Sequence, residues 1–569
     1  MLANITEVLI PHDHRPRFKP VPPSLSLLLA VLGLILPPRL LATALAGSAA
    51  PQAIAGMWFL KAALVALAGF LALAARRQIS DTGELLLTEP DELPLARASW
   101  VLGGLLVVGL ALRLHRVGDG LWFDEIQTLV DYVRLPLGRI VTTFDSQNQH
   151  LLYSISAKIS VALLGESAAA LRLPAVLFGV ASLWATYRFA REVSGTLQAL
   201  FATALLTFSY HHIWFSQDAR GYTGLLLWTL VGTTAFLRLL RDPEAGWGWI
   251  GIYGLAMALG VYTHVTAAFT SVAHLVVLGA LWWTARGDAP RAWVRPALGI
   301  VMSTLCGIVL YAPVLPQFVS TLLAPSPHAA ETAWQNPLWL IGETLQGLAR
   351  GLPGGWGGLG LGMLVAGTGL WHLRRKGWPL VTLMVLPAML TGAAMVALGH
   401  NLWPRFFFFS AGFAVVIAVQ GTFTLAQLVA PRLGEQAAAV ALIALAAGSA
   451  LTIPRAWGPK QDYLEAAAYV AAHRGPSDAV VTVDLTVFPY EKYASCPCTS
   501  VKTLGELETI EGAHSRTWVL YTFPIRLAAV QPEIWRRLQS AYDTAVIYPG
   551  TVGGGAIVVM VTRTPPPTT

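Results

Sequence analysis

The sequence predicts a mainly α protein: a polytopic transmembrane helical bundle followed by a small α/β domain. Three observations carry that prediction. Of 569 residues, 55% are hydrophobic and 12% charged, and the mean hydropathy is +0.58, whereas soluble globular chains carry roughly 25% charged residues. Apolar runs of about 20 residues, enough for a helix to cross roughly 30 Å of hydrocarbon, recur from residue 24 to residue 453. After that point the pattern changes to short strands alternating with amphipathic helices.

On the length rule about 13 spans follow, near 24–46, 54–75, 98–114, 171–190, 196–214, 220–240, 247–265, 267–285, 297–318, 356–373, 378–397, 406–429 and 436–453. The stretch 151–165 is also apolar, but it is short and holds Lys158, which predicts a helix lying at the interface within the first large loop. Residues 1–95 read as a two-span N-terminal extension with the acidic linker Asp81–Leu95, residues 96–453 as the core, and 454–569 as the appended domain. In that domain Gln461–His473 and Pro532–Ser540 read as helices, and Asp478–Asp484 and Arg516–Thr522 as strands. Ala541–Tyr548 and Ala556–Thr562 complete it, and the closing Pro-Pro-Pro-Thr-Thr reads as disordered.

Charge sets the orientation. Lys and Arg exceed Asp and Glu by 38 to 31. Arg15/Arg17/Lys19, Arg76/Arg77, Arg188/Arg191, Arg238/Arg241, Arg286/Arg291/Arg295, Arg374/Arg375/Lys376 and Arg432 all fall in alternate loops. The positive-inside rule makes those loops cytoplasmic, with the N-terminus inside and the C-terminus outside. No basic cluster lies on a polar surface, so nucleic acid is not a partner. Arg15, Arg17 and Lys19 precede an apolar stretch too long for a cleavable signal. Cys306 reads as a packing residue. Cys496 and Cys498, one residue apart, are too few ligands for a zinc site and leave a local disulfide open.

Ionisable residues then gather on the outer side. Asp124 and Glu125 follow the third span; Gln149, His150 and Tyr153 open the interfacial helix. Gln217-Asp218-Ala219-Arg220-Gly221-Tyr222 forms the next outer turn, His264 ends a later span, and His400 and Arg405 flank another turn. Carboxylates beside hydrocarbon are costly, which makes them functional candidates. Asp124, with Gln127 three residues on, also fits a helix-capping box.

At these motifs the chain resembles the GT-C superfamily of polytopic membrane glycosyltransferases. The resemblance is carried by Leu121-Trp-Phe-Asp-Glu125, Arg172-Leu-Pro174 with Phe178-Gly179, Ser216-Gln-Asp-Ala-Arg-Gly-Tyr222 and Tyr262-Thr-His264. The chain is similar to the bacterial branch related to protein O-mannosyltransferases and the lipid A aminoarabinose transferase, and the resemblance covers residues 98–453. It implies a bacterial inner-membrane transferase that takes a sugar from a polyprenyl-phosphate donor, works at the periplasmic face, and serves a lipid, glycan or protein acceptor among membrane lipids. It makes Asp124 the catalytic acid and Asp218 the second acid. Where the aminoarabinose branch opens its interfacial helix with acid-lysine-proline, this chain has Gln149-His150-Leu151, so the resemblance does not carry aminoarabinose or lysine-style phosphate binding over.

The chemistry supplies roles beside the name. Glycosyl transfer from a lipid phosphate needs a base for the acceptor hydroxyl and positive charge for the departing phosphate. Asp124 is the candidate general base in an inverting displacement, with Glu125 and Asp218 as further candidate catalytic acids. Helix neighbours point different ways, so Glu125 is also read as structural. Arg220 and Arg405 are the candidate phosphate ligands, with His150, Tyr222 and Tyr153 beside them. Asp124, Asp218 and His264 form a candidate set for a divalent metal ion. The rival class is a polytopic transporter or a flippase of a lipid-linked glycan, which would show repeats and midplane charges rather than charges at span ends.

Overall fold

The computed structural model describes residues 22–76, 95–242, 245–284, 293–323, 334–494 and 496–563. The expectations for Arg15, Arg17, Lys19, Arg77, Arg286, Arg291, the linker 81–94 and the closing proline run lie outside these residues. The described chain is mainly helical, with one small sheet near the C-terminus.

The predicted first span is not straight. Helices α1 (Pro23–Ile35) and α2 (Pro38–Ala46) meet at 95°. Pro37 and Pro38 remove two backbone donors and disfavour helical geometry in the residue before each. The carbonyls freed at the break are met from α3 (Pro51–Arg76), where Lys61 Nζ donates to Leu34 O at 3.1 Å and to Leu36 O at 2.6 Å.

The rest of the bundle contains α4 (Leu95–Leu114), α5 (Phe123–Gln127), α6 (Leu151–Leu164), α7 (Ala168–Ser194), α8 (Thr196–Thr207) and α9 (Tyr210–Ser216). It continues with α10 (Tyr222–Arg241), α11 (Trp247–Thr263), α12 (Ala267–Thr284), α13 (Val294–Tyr311), α14 (Gly355–Lys376), α15 (Trp378–Ala397), α16 (Ala411–Val429) and α17 (Gly434–Ala450). Among the described residues eight helices are long and apolar enough to cross a membrane, or nine if α1 and α2 form one bent span. The expectation of thirteen is therefore not met. The predicted span 196–214 divides at Phe208 into α8 and α9, and the 12 residues of α8 rise only about 18 Å. Helices α11 and α17 have 17 residues each, and α14 is diluted by glycine and its basic end.

Helix α10 is the axis of the bundle, with 83% of its apolar window buried. It is apolar all round, and two of its threonines return their hydroxyls to its own backbone: Thr233 Oγ1 donates to Thr229 O and Thr234 Oγ1 to Leu230 O, each at 2.7 Å. A closer crossing joins α14 to α16. A β-carbon on Gly369 would lie 2.0 Å from the Ile417 carbonyl oxygen, and one on Gly421 would lie 1.9 Å from that of Val365. Small residues let the backbones approach, as at helix interfaces in lipid.

The two ends of the bundle differ in charge. At one end Arg238 Nη2 pairs with Glu192 Oε1 at 2.5 Å, and Lys376 Nζ donates to Val193 O, so basic loops predicted to share a side do meet. At the other end lie the loop from 115 to 150 and the C-terminal domain. There α18 (Tyr463–His473) precedes strands β1 (Ala479–Val483), β2 (Thr499–Val501), β3 (Thr517–Tyr521), β4 (Tyr542–Tyr548) and β5 (Ile557–Thr562). The sheet order is β2-β1-β3-β5-β4, parallel from β2 to β3 and antiparallel beyond, with an irregularity between Thr544 and Val546. β1 and β3 are buried at every residue, as unbroken Ala-Val-Val-Thr-Val and Thr-Trp-Val-Leu-Tyr runs require. β2, only three residues long, has no sequence signal of its own. Cys496 and Cys498 are joined in a disulfide, and Cys306 is buried and free.

Candidate active site

After α4 the chain turns at Arg116 and descends through Gly120 and Leu121 into α5. The start of α5 explains the two adjacent acids. Trp122, not Asp124, is the cap residue; Glu125, three residues on, accepts the Trp122 backbone N–H at 3.2 Å. The capping box expected of Asp124 thus belongs to Glu125, and Asp124 is free to face elsewhere. Beyond Gln127 the helix widens into a π-turn over Thr128–Val133, a geometry often found at functional sites.

Glu125 is fully committed. Arg172, from the first half of α7, donates Nε to Oε1 and Nη2 to Oε2, each at 2.6 Å. The Ala219 backbone N–H adds a bond to Oε1 at 2.7 Å. Arg172 spends its other donors on the carbonyls of Val117, Asp119 and Gly120. Burial works against this carboxylate's charge, but Arg172 holds its pKa below the usual value. The pair clamps the loop after α4 to the turn before α10.

Asp124 points to the other side. Its Oδ2 lies 3.5 Å from Arg405 Nη2 and has no hydrogen-bond partner although it is buried. Arg405 sits on a 3-10 turn, Pro404–Ser410, with its guanidinium 4.9 Å from the Trp403 ring centre. Asp218, wholly buried in the turn before α10, accepts the Trp122 indole N–H through Oδ1 at 2.8 Å, while its Oδ2 is unpartnered. Burial and the neighbouring Glu125 charge push the Asp218 carboxyl up to about 7, against the pull of Lys460, Trp122 and Arg220.

Arg220 donates Nη1 to Thr128 Oγ1 at 3.0 Å and Nη2 to Asn148 Oδ1, and Nη2 also lies 3.1 Å from His150 Nε2. His150 Nδ1 accepts the Gly221 N–H at 2.8 Å. Burial, with Arg220 next, holds this imidazole well below its ordinary pKa. His264 stands edge to face with His150 at 4.7 Å between ring centres and shares its Nδ1 with Thr266 Oγ1. Tyr222 lies beside both rings with a buried, unpartnered hydroxyl. Tyr153 is different: its hydroxyl donates to Leu171 O at 2.7 Å, which ties α6 to α7 and leaves no proton for a ligand.

Asp124, Glu125, Asp218, Arg220, Arg405, His150, Tyr222 and His264 therefore gather at one end of the bundle. The metal set does not. Among the described residues no three His, Cys, Asp or Glu side chains converge as ligands. Asp124 faces Arg405, Asp218 faces Trp122, and His264 faces Thr266 and the rings around it. His400, which flanks the same turn as Arg405, instead bonds Leu322 O through Nε2.

Three contributors were not singled out for the site from the sequence. Arg172 carries a signal, a cation inside an apolar run. Asn148 and Lys460 carry none. Lys460, in the linker to the C-terminal domain, is buried and donates Nζ to Gln217 O at 2.7 Å. Its neighbour Gln461 accepts the Phe123 N–H at 3.1 Å and donates to Thr522 Oγ1, so the C-terminal domain grips the residue before Asp124.

This is a multi-pass membrane protein with a buried carboxylate–guanidinium site at the end that carries the appended domain. Residues 150–316 match the profile of the family described as dolichyl-phosphate-mannose-protein mannosyltransferase. The match covers less than a third of the chain and agrees with the motif resemblance. No curated protein sequence matches the chain. Among solved structures the chain is similar to ArnT from Cupriavidus metallidurans bound to undecaprenyl phosphate, at 13% identity and TM-score 0.46, covering 82% of this chain and 98% of that one. It is also similar to the archaeal oligosaccharyltransferase AglB from Archaeoglobus fulgidus in complex with an inhibitory peptide and a dolichol-phosphate, at 12% identity and TM-score 0.47, covering 82% and 74%. A third likeness is to the S. cerevisiae protein O-mannosyltransferase Pmt1-Pmt2 complex bound to the sugar donor, at 14% identity and TM-score 0.33, covering 42% and 37%.

Proposed function

We propose that the protein is an inverting glycosyltransferase of the bacterial inner membrane that moves a sugar from a polyprenyl-phosphate donor to an acceptor hydroxyl at the periplasmic face. The acceptor is a lipid, a glycan or a protein. One observation carries the reading. Asp124 Oδ2, Asp218 Oδ2, Arg220 Nε, Tyr222 Oη and Arg405 Nε are all buried without a hydrogen-bond partner, and Tyr222 lies within electrostatic reach of the other four residues. Buried polar groups are nearly always paired within a protein. Five atoms of both kinds in one place without hydrogen-bond partners fit a ligand that brings acceptors for the guanidiniums and a proton for the carboxylate.

The chemistry follows from those residues. The acceptor oxygen attacks the anomeric carbon as its proton passes to Asp124 Oδ2, and the bond from that carbon to the phosphate oxygen breaks on the opposite face. The phosphate leaves with the bonding electron pair. Arg220 and Arg405 hold it, and their attraction grows as charge accumulates there. The apolar tail of the donor is accommodated by lipid and by the helices, and the site lies opposite the basic loops, which supports an extracytoplasmic active face.

Asp124→Asn tests this in proteoliposomes supplied with a panel of undecaprenyl-phosphate sugars. Transfer should fall by roughly 100-fold or more, the usual worth of a general base, with the thermal midpoint little changed. Undiminished transfer in a correctly folded Asp124→Asn protein contradicts the assignment.

A further inference from the structure

We propose that Lys460, carried on the linker to the C-terminal domain, is a positioning residue of the membrane site: its ammonium fastens the Gln217–Arg220 turn and supplies the positive charge that lets Asp218 and Glu125 stand side by side. What that turn does rests on the glycosyl-transfer reading above; the coupling of Lys460 to it does not.

The geometry points to a built contact. Lys460 is 5% exposed, and its Nζ donates to the Gln217 carbonyl at 2.7 Å and lies 4.8 Å from the centre of the Trp214 ring. Trp214 is 6.4 Å from Trp122, whose indole N–H is the partner of Asp218. The ammonium and the carboxylate thus each contact one member of the same aromatic pair. The chain is anchored from behind by the β4–β5 hairpin. Thr551 N donates to Pro459 O at 2.9 Å, Val552 N to Lys460 O, and the Trp214 indole to Thr551 Oγ1 at 2.7 Å. At Gly550 a β-carbon would sit 2.2 Å from the Lys460 carbonyl oxygen, so this hairpin can approach so closely only without a side chain.

A cation here favours the charged forms of both carboxylates. Two buried carboxylates cannot both keep their charge without compensation. Glu125 has Arg172 as a bidentate partner; Asp218 has only a neutral indole in direct contact. Facing Asp218 are Glu125, Arg172, Arg220, Arg405 and Lys460, with the Tyr153 and Tyr222 hydroxyls. After the opposing effects of burial and Glu125, Lys460 is the largest influence favouring the Asp218 charge, ahead of Arg220. Burial in turn draws the Lys460 ammonium down to about 8, against the pull of Glu125 and Asp218.

The test uses full-length protein in lipid nanodiscs and reads the protonated-carboxyl band by infrared difference spectroscopy across pH, assigned by its loss in Asp218→Asn. Lys460→Gln keeps a donor for the Gln217 carbonyl but removes the charge. Its Asp218 midpoint should move upward by roughly one pH unit or more, and Lys460→Arg should leave the midpoint in place. Gly550→Ala, which keeps Lys460 and pushes the hairpin off it, should move the midpoint in the same upward direction. An unmoved midpoint in both Lys460→Gln and Gly550→Ala overturns the proposal, as does an equal shift in Lys460→Arg. Undecaprenyl phosphate is the separate probe: wild-type protein that does not bind it overturns the glycosyl-transfer reading, while the titration alone decides the role of Lys460.

Discussion

At the scale of single residues, the two neighbouring acids carry opposite predictions. Glu125 has every oxygen engaged, and its removal leaves Arg172 buried without its counterion, which costs about 3–5 kcal/mol. Glu125→Gln should therefore lower the thermal midpoint sharply, a loss visible in detergent by scanning fluorimetry, whereas Asp124→Asn should barely change it. Equal midpoints for the two variants would contradict the division of labour. Arg405→Met should weaken undecaprenyl phosphate binding about tenfold or more, the worth of a charged hydrogen bond, measured by native mass spectrometry. Much of this was legible beforehand, since a carboxylate next to hydrocarbon and an Asp-Ala-Arg turn announce themselves. Adjacency on a helix also let Glu125 be read as structural beside a catalytic Asp124, but the partner each acid meets was not legible, because it depends on where Arg172 and Arg405 arrive from. Tyr153 shows the same limit: a tyrosine at the head of an interfacial helix looks like a ligand until the Leu171 carbonyl claims its hydroxyl.

At the scale of elements, apolar length located most of the helices, and the breaks set the differences. Pro37-Pro38 folds the first predicted span back at 95°, and the Phe208-Ser209 break stops α8 short. Neither is visible to a window average, which sums hydropathy across a break without registering it. The crossing of α14 and α16 depends instead on what is missing from two side chains. Gly421→Val places branched carbons where the Val365 carbonyl now lies, 1.9 Å from a β-carbon position. It should destabilise the protein by at least about 1–3 kcal/mol, the usual cost of overpacking, read as a lower thermal midpoint. Gly505→Ala, in a helix of the C-terminal domain with open space around it, is the control and should be neutral or slightly stabilising. A Gly421→Val midpoint equal to that of the control would show that the helices do not cross so closely.

At the scale of the whole molecule, charge segregation links orientation to function. The basic loops gather around Glu192 and Val193 at one end, and the carboxylate–guanidinium site lies under the C-terminal domain at the other. If the basic end is cytoplasmic, an exposed position in that domain must lie outside the cell membrane. Ala513→Cys in intact spheroplasts should react with a membrane-impermeant maleimide, and labelling only after lysis would reverse the topology. The domain was foreseeable as alternating strands and helices, but its grip on the membrane core was not. Gln461 and Lys460 sit in ordinary polar sequence, and they matter only because the fold brings residues 120–125 and 217–220 to meet them.

The most direct test of the central claim is to identify the lipid that copurifies with Asp124→Asn protein extracted from its native membrane. A site that binds a polyprenyl-phosphate sugar but lacks its base should retain the intact donor, so mass spectrometry should find a polyprenyl phosphate bearing a sugar headgroup, enriched over wild type. Recovery of ordinary phospholipid alone, in both the variant and the wild type, would contradict the account.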